Sequence, residues 1–121
     1  MTICITSTGD TLDHEVDPHF GRSTYFIFVD TETLEHEAIP NPNTELGGGA
    51  GIQSGQLMSS RGVDTVLTGN VGPNAYRTLQ AAGVRVYTGV YGTVQEAVRR
   101  FKKGEFPSAE GPSVGSKFGM G

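Results

Sequence analysis

Apolar residues recur along this chain in two periods, and the alternation between them predicts the element order. Thr2-Ile3-Cys4-Ile5-Thr6 alternates as a short buried strand and ends at the turn formers Ser7-Thr8-Gly9-Asp10. Asp10 to Arg22 is polar and interrupted by Asp17-Pro18 and Phe20-Gly21, so it reads as a loop. Ser23 to Val29 is dense in aromatic and β-branched residues, and Leu34 to Ile39 can return beside it after the turn Asp30-Thr31-Glu32-Thr33. Pro40 to Gly51 is too rich in Asn, Pro and Gly for regular structure and is long enough to suggest a functional loop.

The second half changes period. Ile52 to Arg61 has helical spacing and stops at Gly62, and Val63 to Leu67 reads as a buried strand. Pro73 is placed as a first helical residue, and the helix through Ala75 to Ala82 stops at Gly83. Val84, Val86 and Tyr87 make another strand, and Thr88 to Gly92 a loop. Thr93 caps a third helix to Lys103, with Glu96 three positions on and Gly104 behind it. A meander followed by strand-helix units predicts an α/β domain over residues 1–105, a mixed sheet with helices on its faces. Residues 106–121, rich in Gly, Pro and Ser, read as a flexible tail.

Composition narrows the function classes. The chain has 121 residues, enough for one core, and a formal net charge of −4. That charge gives no general attraction to phosphate backbones, so nucleic acid is not an expected partner. The one cation cluster, Arg99, Arg100, Lys102 and Lys103, suits the negative end of a helix dipole and a solvated face, with an acidic partner surface as the alternative. A single cysteine excludes an internal disulfide and a one-chain thiolate cage, and points to a reducing compartment. No segment reaches the length of a membrane span, so a cytoplasmic protein is expected.

Two segments offer anion chemistry. Gly47-Gly48-Gly49-Ala50-Gly51 stands before a helix, where glycines admit close backbone approach and the helix start adds partial positive charge. It lacks the Gly-Lys-Ser/Thr of a phosphate loop, and a flexible linker is the plainer reading. Thr68-Gly69-Asn70-Val71-Gly72-Pro73-Asn74 occupies a strand-to-helix turn, where open α/β sheets present ligands, and is otherwise an ordinary tight turn. Two such entrances in one small domain favour a shared anionic ligand. The loop after the first strand holds His14, Glu15, Asp17, His19 and Arg22: imidazoles for borderline metals and a guanidinium for an anion. His14 and His19 do not have zinc-site spacing. Cys4 is expected to act as a small core residue or to turn its sulfur to a soft metal, and Met120 to offer a thioether. No nucleophile elbow or paired-histidine motif is present, so catalysis is not expected.

The runs Val16-Asp17-Pro18-His19-Phe20-Gly21-Arg22, Gly47 to Gln53, Gly62 to Ala75 and Ala82 to Tyr87, in this order, resemble the dinitrogenase iron-molybdenum cofactor-binding family over nearly the whole chain. The resemblance implies a ribonuclease H-like three-layer fold, with a five-stranded mixed sheet and helices on both faces. It implies a non-catalytic carrier of a preassembled molybdenum-containing cluster, either iron-molybdenum cofactor or a molybdenum-copper sulfide. The stand-alone domain looks more like the small-carrier branch that includes the orange protein of sulfate reducers. Nucleases of this superfold need carboxylates on the first and at the end of the fourth strand, and Thr2 to Thr6 and Leu67 to Asn70 supply none. The implied cofactor-binding set is His14, His19, Phe20, Gly21, Arg22, Gly48, Gly49, Ala50, Gly51, Gly69, Asn70, Gly72 and Asn74, with His14, His19, Cys4 and Met120 as candidate metal ligands. A P-loop ATPase or a cluster acceptor is the implied protein partner, as cargo recipient or as the target of a metal-free scaffold, and the carrier is expected as a monomer or weak dimer.

Overall fold

The computed structural model describes residues 1–43 and 49–106. Its elements are β1 (Thr2–Ser7), β2 (Tyr25–Asp30), β3 (His36–Pro40), α1 (Ala50–Ser60), β4 (Thr65–Leu67), α2 (Pro73–Ala81), β5 (Arg85–Tyr87) and α3 (Val94–Lys102). The five strands form one sheet in the order β3-β2-β1-β4-β5. β1 pairs antiparallel with β2, and β2 with β3, as a meander should. β1 pairs parallel with β4, and β4 with β5, so the sheet is mixed.

Period-two alternation sorts the core into two layers. Cys4, Phe26, Phe28, Val66 and Val86 face α1 and α2, together with Met58 and Leu79 from those helices. Ile3, Ile5, Ile27, Val29, Leu67 and Tyr87 face the opposite way, toward Val94, Ala97 and Val98 of α3. This is the expected ribonuclease H-like arrangement, with two helices on one face and one on the other.

All three helices end in the same way, and this explains why β4 and β5 are shorter than the apolar pattern suggests. Gly62, Gly83 and Gly104 take φ of +68°, +76° and +73°, where side chains with a Cβ are strained. The next residue then donates back five positions: Val63 N to Met58 O and Val84 N to Leu79 O, at 3.1 and 2.9 Å. Val63 and Val84 are therefore buried as helix terminators before the ladder begins. At α3 the capping box is complete: the Thr93 hydroxyl accepts from Glu96 N and the Glu96 carboxylate accepts from Thr93 N.

Several boundaries differ from the sequence expectation: Pro40 belongs to β3 and Ala50 and Gly51 to α1, although all three were expected in the loop between them. Ser23 and Thr24 belong to the preceding loop, because Thr24 N donates to Asp17 Oδ2 instead of joining the ladder. Leu34 sits in the hairpin turn at φ +64°, so β3 begins at His36. Phe106, expected in the tail, packs on Tyr87 with ring centroids 6.4 Å apart. No helix among the described residues is long and apolar enough to cross a membrane.

Candidate functional site

At the carboxyl end of the parallel strands, three segments converge: the loop after β1, the start of α1 and the turn from β4 into α2. Two contacts between threonines and the loop fix the convergence. The Thr6 and Thr68 hydroxyls, at the ends of β1 and β4, lie 2.9 Å apart, and Thr6 Oγ1 donates to Asp17 O at 2.7 Å. His19 then bridges Asn70 in parallel register. The approach is close enough that a Cβ on Gly69 would stand 2.6 Å from Pro18 Cα.

Asp17 organises the loop. Its carboxylate is buried and accepts on both oxygens: Oδ1 from His19 N at 3.0 Å, Oδ2 from Thr24 N at 3.1 Å and Thr24 Oγ1 at 3.4 Å. His19 Nδ1 is 3.3 Å from Oδ1. A carboxylate engaged by two backbone donors acts as an acceptor, so in the neutral imidazole this contact places the hydrogen on Nδ1 and the lone pair on Nε2. The His19 side chain is 66% exposed, so that lone pair is held in orientation yet open to a ligand. Arg22, three residues on, is exposed as well.

α1 and α2 run side by side with their starts at this end. A Cβ on Gly51 would be 3.1 Å from Ala75 Cβ, and one on Gly55 would be 2.7 Å from Thr78 Cγ2. Gly21 also presses on Gly51, its built Cβ being 2.9 Å from Gly51 Cα. Gly21 and Gly51 thus serve packing: they let the loop, α1 and α2 approach backbone to backbone. Gly49, the N-cap of α1, instead faces open space. Gly72 caps α2 with Pro73 at the first position. Neither helix has a side-chain cap or an acidic residue in its first turn, so no group of its own first turn offsets the partial positive charge of either start, about half an elementary charge each.

The structure brings together His19, Gly21, Gly49, Ala50, Gly51, Gly69 and Asn70, with Arg22 on the same loop and Gly72 and Asn74 at the start of α2. Gly48 and Met120 lie outside the described residues. Phe20 is only 2% exposed and packs on Phe26 at 5.8 Å, so it anchors the loop in the core. His14 is elsewhere: its carbonyl accepts from Val94 N at the start of α3, and its ring lies against Gly9 with Nε2 3.9 Å from Asp10 Oδ1. Cys4 is fully buried in the layer under α1 and α2, and that burial pushes its thiol far above the usual cysteine range. Its sulfur faces the core and not this end.

Two organising residues were not assigned as site residues from the sequence. Asp17 was noted only as one member of a polar loop. Buried Asn41, at the end of β3, donates to Gly21 O and Ser23 O at 3.0 and 2.9 Å and accepts from Asn43 N at 2.9 Å. An Asn-Pro-Asn run directly after a strand was the available signal. Among the described residues no three His, Cys, Asp or Glu side chains are grouped to hold a bare metal ion. One oriented imidazole, a guanidinium and two helix starts suit a preformed anion better than a free cation.

The fold is shared with proteins of known structure. The apo form of the orange protein from Desulfovibrio gigas superposes with a TM-score of 0.89 at 43% identity, covering 93% of this chain and 95% of that one. A Thermotoga protein of the DUF35 family, solved by NMR, gives 0.78 at 39% identity over 88% and 91% of the two chains. An uncharacterized protein of Methanocaldococcus jannaschii is 30% identical over 101 residues, 81% of this chain and 86% of its own length. The sequence profile of the dinitrogenase iron-molybdenum cofactor family matches residues 1–104, and the chain belongs to that family.

Proposed function

We propose that this protein is a non-catalytic carrier, and that the end formed by the β1 loop, the start of α1 and the β4–α2 turn holds a preassembled, anionic, molybdenum-containing metal–sulfur cluster as cargo. The observation that carries this reading is the pairing of two helix starts without side-chain caps or first-turn acids beside the exposed His19 ring, held through Nδ1 against Asp17. Helix starts and backbone N–H groups stabilise distributed negative charge, while one imidazole can bind one metal of the cluster directly. In this reading Gly48, Gly49, Ala50 and Gly51 present α1, Gly69, Asn70, Gly72 and Asn74 present α2, and Arg22 neutralises the outer face.

We favour the molybdenum-copper sulfide over the iron-molybdenum cofactor type, on the sequence resemblance of this stand-alone domain to the small-carrier branch. Sulfide clusters and a lone reduced cysteine suit a cytoplasmic setting. Delivery would be to a cluster acceptor protein, while a P-loop ATPase would be the partner of the metal-free scaffold alternative.

The test is metal analysis with a visible spectrum of protein purified from its native host, followed by titration of metal-free protein with tetrathiomolybdate and copper. Near-stoichiometric molybdenum and a charge-transfer band, both reduced in His19→Ala, are expected. Protein that takes up no cluster under either condition, yet binds a P-loop ATPase without metal, would replace the carrier with a scaffold.

A further inference from the structure

A second surface lies on the other face of the sheet. One helix cannot cover five strands, and between α3 and the β2–β3 hairpin a groove of about 360 Å³ remains. Its floor is apolar: Leu12, Val29, Leu34 and Val98. Its rim is cationic: Arg99, Lys102 and Lys103, with Gln95 one turn earlier and no acidic residue in the lining. In a chain of net charge −4 that local balance is reversed.

The internal demand on these three cations is small: Arg99 adds a minor electrostatic pull on the Glu96 carboxylate. Among the described residues none of them enters a salt bridge, whereas Arg100 is committed to Tyr91, stacking on its ring at 4.6 Å and donating to its carbonyl at 2.8 Å. The helix dipole accounts for cations near a C-terminus, but it does not account for an apolar floor beside them.

Leu34 supplies an independent sign. It is 51% exposed and holds φ +64°, a conformation that costs a leucine free energy and that glycine or asparagine would take more readily. The turn is secured by Leu34 N donating to Asp30 O and Asp30 N to Glu35 O, so nothing in the hairpin requires a large apolar side chain at this position. Strain kept at an exposed apolar residue on the edge of a groove points to a partner for it.

We infer that this groove docks an amphipathic acidic segment of a partner protein, its apolar side chains on Leu12, Leu34 and Val98 and its carboxylates on Arg99, Lys102 and Lys103. The spacing favours a polypeptide over a small amphiphile. The cations occupy positions i, i+3 and i+4 of α3, spread over about 6 Å of helix axis, and a single headgroup satisfies at most one or two of them. Acidic residues repeated along a segment match the row. The inference does not rest on the cargo reading, since groove and cluster site use different residues on different faces.

The experiment titrates the full chain, labelled at its methyl groups, with a capped peptide of about 16 residues carrying Leu and Glu at helical spacing. Fluorescence anisotropy of the labelled peptide reports affinity. Shifts are expected at Leu12, Val29, Leu34 and Val98. Affinity should fall about ten-fold or more in the triple variant Arg99→Glu, Lys102→Glu, Lys103→Glu, several-fold in Leu34→Asn, and progressively with salt. Circular dichroism verifies that both variants fold. Unchanged affinity in the triple variant, shifts confined to other surfaces, or no response at millimolar peptide would overturn the proposal. So would decanoate perturbing these methyls where the peptide does not, which would make the groove a small-amphiphile site, or self-association that buries them, which would make a second copy the occupant.

Discussion

Replacing Asp17 with Asn isolates what the buried carboxylate contributes, because the side chain keeps its shape. In the native loop Oδ1 and Oδ2 accept from His19 N and Thr24 N at 3.0 and 3.1 Å, and both donors are fixed in the backbone. An amide has one acceptor oxygen, so either orientation leaves an NH2 group facing a backbone N–H. A charge-assisted hydrogen bond of about 1.5–3 kcal/mol is lost, and a donor in a buried setting is left without its partner at a further cost of about 1–3 kcal/mol. Partial relaxation of the loop toward solvent reduces the sum, and about 2–4 kcal/mol is expected. For a domain of this size that corresponds to a fall in melting temperature of roughly 6–16 °C. Urea unfolding with a calorimetric melt measures it. His19→Gln is the matched control: its side chain is 66% exposed, so stability should change by less than about 0.5 kcal/mol while cluster uptake falls. Asp17→Asn should lose both, because it unfixes the imidazole as well. If Asp17→Asn melts within 2 °C or so of the native protein, the carboxylate is not the organiser of the loop and the orientation assigned to His19 has no basis.

Further outcomes follow from the same geometry. Gly69→Ala puts a Cβ 2.6 Å from the Pro18 backbone, so the two segments must separate; a loss of about 1–3 kcal/mol and weakened cluster uptake are expected in melting and spectroscopic titration. Cys4 should resist a thiol reagent at pH 8 in the native state and react fully in denaturant, since burial holds it neutral. Thr93→Ala removes the cap of α3 and should cost about 1 kcal/mol in urea unfolding. Hydrogen bonds from Thr93 hold the Glu96 carboxyl below the usual range, so its stabilising contribution is complete above the ordinary glutamate value and disappears as pH falls through the lowered one; an acid titration of native protein and Thr93→Ala should differ in that window. Leu34→Asn relieves the left-handed backbone and should leave stability equal or higher by up to about 1 kcal/mol.

Much of the fold was legible because the apolar periods are clean. Ile3, Ile5, Ile27 and Val29 fall on one layer and Cys4, Phe26 and Phe28 on the other without exception, and the three stopping glycines sit where the sequence puts them. What the sequence did not carry is the purpose of the glycines in the site. Gly21 and Gly51 are 30 residues apart, and only the fold reveals that each makes room for a neighbouring segment. Asp17 was hidden for a similar reason: a polar residue beside a proline in a polar loop looks solvated, and its burial depends on Thr6 and Thr24, which reach it from either side. The structure places His14 and His19 apart, because the loop crosses the end of the sheet between them, leaving one residue at the start of α3 and the other beside Asn70.

The ends of β1 and β4 bear on why the proposed cargo would be an anion. Hydrolysis with two metal ions on such a sheet requires carboxylates there, to hold divalent cations against their mutual repulsion. Here those strand ends offer Thr6 and Thr68, whose hydroxyls lie 2.9 Å apart, and Thr6 locks the neighbouring loop by donating to Asp17 O. The carboxylate that does stand nearby is turned inward, its oxygens occupied by the loop's own N–H groups, so its charge fixes geometry and leaves little field for a cation. In the proposed reading the starts of α1 and α2 and the Arg22 guanidinium would contribute positive potential at this end. Introducing an outward acid at the rim should therefore weaken an anionic cargo more than its size suggests. Asn70→Asp, which is close in volume and half-exposed beside His19, is the substitution that separates charge from shape at this site.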